Sequence, residues 1–128
     1  MARKKVVRRR KKVEPASVGL AARETRTEPT GELQALGAQV ERDGGALLGA
    51  YRDPFGGKDV LIVALPIDRV DPTPYQRDPS DPHVKRLMTV IEKIGQFLDP
   101  VIAIRQRDRY WTPNGNHRLQ ALKRLGVR

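Results

Sequence analysis

The chain has 128 residues, a formal net charge of +10, 38% hydrophobic residues and no cysteine. This length suffices for one domain with a modest core, and the lack of cysteine excludes disulfides and Cys-based metal or redox sites. No run of about 18 apolar residues occurs, so we expect no membrane-spanning helix. The basic start lacks the apolar segment of a secretory signal, and we expect a cytoplasmic protein.

Most of the positive charge lies in the first twelve residues. They carry eight basic side chains and no acidic one, whereas the rest of the chain carries 17 basic and 15 acidic side chains. Such a segment binds polyanions through counterion release with little sequence preference, so we expect DNA as its partner. A solvated arm without a partner is the alternative. The candidate DNA-binding residues are Arg3, Lys4, Lys5, Arg8, Arg9, Arg10, Lys11 and Lys12.

Three segments follow one another along the chain. Residues 1–29 combine the basic block with prolines and small residues, which predicts a disordered basic tail. Residues 30–64 are predicted to form an extension that consists of a helix over 31–42 and a hairpin of 46–51 and 60–65.

Residues 65–128 are predicted to form the main domain. Residues 71–79 contain three prolines, which indicates an extended or turning segment. A helix follows, with Ser80 as its N-cap and Gly95 as its end. Its apolar residues recur at helical spacing and are Val84, Leu87, Met88, Ile91 and Ile94.

The last elements alternate strand and helix. A strand over 101–104 and a returning strand at Tyr110-Trp111 lead to the turn Pro113-Asn114-Gly115. A helix over 116–125 then ends at Gly126. The pattern predicts an α+β fold with a small mixed sheet and flanking helices. Because such a sheet usually continues into another strand, we expect the chain to be truncated at its carboxyl end.

The first turn of this last helix is the candidate site. Its unpaired N–H groups and positive dipole end favour an anion. Arg118 can pair with phosphate in a forked geometry, or form a salt bridge with a nearby carboxylate. His117 can donate to phosphate or act as an acid or base, or its ring can pack in the turn and bond to backbone. Asn116 can bond phosphate, but we expect it to cap the helix.

Four features between residues 65 and 126 occur in a characteristic order. They are the segment Leu65–Val70, the proline-rich stretch with Gln76 and Arg77, the amphipathic helix that ends at Gly95 with a loop to Pro100 and an apolar strand, and the glycine turn 115–121. In this order and spacing they resemble the ParB N-terminal domain, also called the ParB-like nuclease domain, of the ParB/sulfiredoxin superfamily.

The resemblance implies an α+β fold of the ParB/sulfiredoxin type that binds nucleotide and is associated with DNA, as in chromosome or plasmid partition. The implied ligand is a nucleoside triphosphate, with CTP as the leading candidate, bound with or without Mg²⁺. The resemblance implies no metal site of the protein's own. It leaves a homodimer open. Carried over by position, the nucleotide-binding residues are Gly115, Asn116, His117 and Arg118 at the phosphates, Gly95 and Pro100 on the other side, and Gln76 and Arg77 at the entrance.

This chain departs from the family pattern at two places. Partition proteins carry Gly-Glu-Arg-Arg at the glycine turn, where this chain has Gly-Asn-His-Arg over 115–118, and the loop before Pro100 is one residue longer. Asn116 also stands where sulfiredoxins carry their catalytic cysteine, which excludes sulfiredoxin chemistry. The alternative function is a ParB-like nuclease or nucleotide-dependent phosphotransferase, with His117 as the catalytic acid or base and Asp99 as a candidate metal ligand. A domain that binds only a protein partner is a third possibility.

Overall fold

The computed structural model of the protein describes residues 9–128. Within this range the α+β class predicted from the sequence is confirmed. In chain order the helices and strands are α1 (Gly31–Arg42), β1 (Ala46–Arg52), β2 (Asp59–Ala64), β3 (Val70–Pro72), α2 (Asp81–Ile94), β4 (Ile104–Gln106), β5 (Arg109–Thr112) and α3 (Asn116–Arg124).

The first helix and the hairpin form where the apolar spacing predicts them. α1 follows Thr30, which occupies the N-cap position without a side-chain cap bond. β1 and β2 pair antiparallel from Ala46 opposite Ala64 to Arg52 opposite Asp59.

The second sheet is mixed, as predicted, with the strand order β3-β5-β4. β3 runs parallel to β5, and β4 runs antiparallel to it. The strand predicted over 101–104 begins at Ile104 instead. Residues 101–103 pair with no strand among the described residues, and Val101 packs its side chain against Gly115.

The buried core joins the amino-terminal helix, this sheet and α3. Its members, one from each of α1, β3, β5 and α3, are Val40, Val70, Tyr110 and Leu119. Because burial of a large apolar side chain contributes roughly 1.5–3 kcal/mol, this cluster is the main source of cohesion.

A buried ionic network also ties α1 to the sheet. Asp43, 8% exposed, accepts hydrogen bonds from Arg105 Nε at 2.9 Å and from the Tyr110 hydroxyl at 2.6 Å. The bond from Arg105, followed by that from Tyr110, holds the pKa of the Asp43 carboxyl below its usual value. Burial, followed by the bond to Asp43, raises the pKa of Tyr110.

The segment predicted to be disordered, 1–29, is described from residue 9 onwards and differs from that prediction near its end. Ala22–Thr25 form a 3-10 helix. The N–H of Leu20 donates to the carbonyl of Pro54 at 2.7 Å. The hairpin loop therefore supplies a backbone acceptor that holds this part of the segment, which composition alone does not reveal.

Candidate functional site

α2 and α3, the helices beside the candidate site, contact each other. Each contains a fully buried residue, Val84 in α2 and Ala121 in α3, and the ion pair of Asp81 with Arg124 links them. Asp81, in the first turn of α2, lies 2.6 Å from Arg124 and 3.1 Å from Lys85. Arg124, followed by Lys85, holds the pKa of the Asp81 carboxyl below its usual value. α2 ends at Gly95 in the left-handed conformation, as the sequence predicts.

Gly115 fixes the path of the turn into α3 by close packing. A Cβ at this position would lie 2.6 Å from Thr112 Oγ1 and 2.6 Å from Val101 Cγ1. Its φ of −110° is open to any residue, so contact rather than backbone conformation requires glycine here. The turn is therefore set between the end of β5 and the segment that enters β4.

The amino end of α3 has no side-chain cap. Its first main-chain hydrogen bond runs from the N–H of Leu119 to the carbonyl of Gly115 at 2.9 Å. Within residues 9–128, the N–H groups of Asn116, His117 and Arg118 donate to no other residue. The three donors lie at the positive end of the helix dipole, which favours an anion, although Gly115 and Asn116 are buried.

The expectation that Asn116 caps the helix is wrong. Gly115 occupies the N-cap position, and Asn116 is the first helical residue. Its side chain is 8% exposed, and its Oδ1 accepts from Gln120 Nε2 one turn later at 3.2 Å. The side chain is directed along the helix by this bond, which leaves the N–H groups of the first turn uncapped.

Arg118 links α3 to the loop that follows α2. Its Nη1 donates to the carbonyls of Asp99 at 3.1 Å and Pro100 at 3.0 Å, and lies 2.9 Å from Asp99 Oδ2. The salt bridge between Arg118 and a nearby carboxylate, which the sequence left open as an alternative, is therefore present. The Arg118 side chain is 21% exposed and that of Asp99 79% exposed. Because the Asp99 carboxylate is largely in solvent, its bond to Arg118 contributes little stability, and an incoming anion can replace it.

A cleft of about 120 Å³ opens beside Arg118. Gln96, Asp99 and Arg118 supply its polar groups, and its walls are the apolar side chains Leu87, Val90, Ile91, Ile94, Phe97 and Leu98. The lining is therefore mainly apolar and contains one guanidinium. A larger cleft of about 240 Å³, between α1, β2 and β4, contains none of the turn residues.

Gln76 lies against the end of β5, next to the turn. Its Nε2 donates to the carbonyl of Thr112 at 2.8 Å. Gln76 Oε1 and Thr112 Oγ1 are buried and have no hydrogen-bond partner among the described residues. Arg77 is exposed, and within residues 9–128 no hydrogen bond or ion pair holds it at the turn.

The imidazole of His117 is engaged by the amino end of α2. Its Nε2 accepts the N–H of Ser80 at 3.0 Å, and its ring stacks on that of His83 with a centroid distance of 4.3 Å. This is the packed, backbone-bonded arrangement that the sequence left open. In this contact Nε2 serves as the acceptor through its lone pair.

The predicted DNA-binding residues are only partly described. Arg9, Arg10, Lys11 and Lys12 are exposed, while Arg3, Lys4, Lys5 and Arg8 lie outside the described residues. In the part of the chain from residue 9 on, no helix is long and apolar enough to cross a membrane. In the same range, no three His, Asp or Glu side chains group closely enough to hold a metal ion.

Four residues at the site escaped the sequence reasoning: Thr112, Ser80, His83 and, as the partner of Arg118, Asp99. Their roles depend on pairs separated by 19 to 37 positions, such as Arg118 with Asp99 and His117 with Ser80. The sequence contains one signal for these contacts: Ser80 and His83 lie at the start of one helix, and His117 lies at the start of another.

No family model matches the chain, and no curated protein matches it. Among solved structures, the chain is similar to sulfiredoxin from Arabidopsis thaliana, with 30% sequence identity and a TM-score of 0.42. The match covers 49% of this chain and 71% of the sulfiredoxin chain. Membership of the ParB/sulfiredoxin superfamily, and of the ParB N-terminal domain within it, stays a prediction.

Proposed function

We propose that this protein is a ParB-like nucleotide-binding module that associates with DNA. A nucleoside triphosphate, CTP first, binds with its phosphates at the amino end of α3 and its base toward the cleft beside Arg118. The observation that carries the proposal is the uncapped first turn of α3, where three N–H groups that have no acceptor within residues 9–128 lie next to an arginine with an exposed counter-ion.

The neighbouring contacts favour this ligand class. The bonds from Arg118 to the carbonyls of Asp99 and Pro100 hold the guanidinium at the junction of α3 and the loop. The remaining N–H groups of the guanidinium can then take phosphate oxygens in place of the Asp99 carboxylate. The unpaired oxygens of Gln76 and Thr112 add polar atoms beside the same turn.

The basic tail supplies the contact with DNA in this proposal. Its eight cationic side chains in twelve residues can neutralise phosphates of any sequence, whereas the rest of the chain is nearly balanced in charge. The tail contains no aromatic residue that could stack on bases. We therefore expect the DNA binding to be non-specific and strongly dependent on salt.

An enzyme that uses His117 as acid or base has less support. Nε2 of His117 already accepts the N–H of Ser80, and Asp99 pairs with Arg118. Within residues 9–128, no group of three His, Asp or Glu side chains could hold a catalytic metal. Metal-assisted hydrolysis and nuclease activity are therefore not part of the proposal.

Calorimetric titration with the four ribonucleoside triphosphates, with and without Mg²⁺, tests the nucleotide proposal. We expect saturable binding, tightest for CTP, to the wild-type chain and none to Arg118→Ala. The matched control is Arg86→Ala, which removes an exposed arginine of α2 outside the cleft and should bind as the wild type does. Absence of binding by all four nucleotides would refute the proposal.

Deletion of residues 1–12 tests the tail. The slope of log K against log [salt] changes by about 0.9 for each DNA phosphate that the protein neutralises. Removal of eight basic residues should therefore flatten the slope by up to roughly 7 and weaken binding to unrelated duplexes equally. An unchanged slope, measured by fluorescence anisotropy between low and physiological salt, would show that DNA does not bind through the tail.

A further inference from the structure

Two histidines that lie 34 positions apart in sequence meet at the junction of α2 and α3. The rings of His83 and His117 stack with a centroid distance of 4.3 Å and an interplanar angle of 27°. The same His117 ring accepts the N–H of Ser80, the N-cap residue of α2, through Nε2 at 3.0 Å. One imidazole therefore holds the first turn of α2 by two separate contacts.

Protonation weakens both contacts, the first when His117 is charged and the second when both rings are charged. A protonated imidazole carries hydrogen on both nitrogens, so Nε2 of a protonated His117 cannot accept the N–H of Ser80. Two protonated rings at stacking distance also repel each other. Histidine is the side chain that ordinarily changes charge between pH 5 and 8.

The surrounding charges do not compensate an added proton. The charged residues of the elements that meet here are Arg77, Asp78, Asp81, Lys85, Arg86, Arg118, Lys123 and Arg124. The Asp81 carboxylate pairs with Arg124 and Lys85, and Arg118 pairs with Asp99. In the described part of the chain, no carboxylate lies within ion-pairing distance of either imidazole. An anion bound at the amino end of α3 would supply the missing negative charge.

We propose that His83 and His117 form a proton-operated latch, which holds Ser80 and the start of α2 against α3 when neutral and releases them when protonated. The released imidazolium of His117 lies in the first turn of α3 and adds a cation to it. An anion bound there favours the released state, and the released state favours the anion. This last coupling rests on the proposed function, whereas the latch itself does not.

A pair of conservative substitutions isolates the titration from the packing. In His117→Gln, the side-chain carbonyl can still accept the N–H of Ser80, but the side chain does not titrate. In His83→Phe, an aromatic ring remains to stack on His117, but the repulsion between two cations is removed. His117→Gln nearly keeps the size of the residue, and His83→Phe keeps an aromatic ring, although a larger one.

Two-dimensional ¹H–¹⁵N NMR of the full chain, titrated from pH 8 to pH 5, tests the latch. We expect the Ser80 amide signal to move with the same midpoint as the ring protons of His117. In His117→Gln it should stay fixed, and in His83→Phe its midpoint should rise. A Ser80 signal that is flat in the wild type, or that titrates unchanged in His117→Gln, would overturn the proposal.

Repeating the titration with inorganic tripolyphosphate separates the two proposals. If the anion site and the latch are coupled, the midpoint for Ser80 moves to higher pH in the presence of the anion. If the Ser80 amide signal titrates but its midpoint is the same with and without the anion, the latch is supported and the anion site is refuted. If the anion binds while Ser80 stays flat, the latch fails and the anion site stands.

Discussion

Two arginine–aspartate pairs in this chain have the same chemistry and opposite settings. Asp43 is 8% exposed and receives hydrogen bonds from both Arg105 and the Tyr110 hydroxyl. Asp99 is 79% exposed and contacts Arg118 beside an open cleft. The first pair fixes α1 to the sheet, whereas the second keeps an arginine beside a helix terminus that lacks its cap.

The difference shows which region maintains the fold and which is free to bind. Removing one partner of a buried pair leaves a desolvated charge, so such a pair cannot be exchanged for a ligand at low cost. Removing the exposed Asp99 side chain leaves Arg118 bonded to two main-chain carbonyls, which costs little. Substitutions should therefore affect stability in the core around Tyr110 and binding at the amino end of α3.

The largest effect on stability is expected in the core. Leu119→Ala removes a buried side chain from the cluster that joins α3 to the sheet, and should cost about 2–5 kcal/mol of unfolding free energy in urea. Leu48→Ala, at an exposed position of β1, is the matched control and should change it by less than about 0.5 kcal/mol. Equal losses in the two variants would mean that Leu119 is not packed as described.

The second effect is an acid-dependent loss of stability in Asp43→Asn. Because the pKa of Asp43 is lowered in the folded chain, its ion pair stabilises the fold fully above the ordinary value of 3.8. That stabilisation is lost as the pH falls through the lowered pKa. Asp43→Asn should therefore melt well below the wild type at pH 7, with the gap closing below pH 4 in thermal scans.

The control for this comparison is Asp99→Asn. At pH 7 the free energy of unfolding of this variant should lie within about 1 kcal/mol of the wild-type value, since a bond to an exposed carboxylate contributes no more than that. A gap between Asp43→Asn and the wild type that stays constant down to pH 2 would show that the carboxylate of Asp43 is not the source of the effect.

The smallest effects on stability, but the clearest on binding, are expected at the second pair. Asp99→Asn frees Arg118 and should raise the affinity for triphosphate by up to about fivefold, the equivalent of one exposed ion pair. Arg118→Lys keeps the charge but loses the forked geometry, and should bind more weakly than the wild type. Calorimetry of both variants would contradict this account if Asp99→Asn bound more weakly than the wild type.

Local signals predicted the elements well, and long-range contacts explain what they missed. The periodic apolar residues of α2 and the stop at Gly95 follow from the sequence because both depend on neighbours within one helix. The start of β4 was displaced because pairing with β5 decides it. Asn116 was assigned to the cap by preference, yet Gly115 takes that position where the chain packs against Thr112.

The candidate site divides in the same way. The glycine turn and Arg118 were identified from residues that are adjacent in the chain. The contacts of His117 with Ser80 and His83 span more than 30 positions, so they depend on how α2 packs against α3. No pattern in the chain fixes that packing, because the residues that mediate it, Asp81 and Arg124, read as ordinary surface charges.

The most direct measurement of the central claim is an NMR titration of the ¹⁵N-labelled chain with CTP at physiological salt. If the amino end of α3 binds the phosphates, the amide signals of Asn116, His117 and Arg118 should show the largest shifts, with one common dissociation constant. Shifts confined to the basic tail, or a saturable response that leaves these three amides unmoved, would contradict the account.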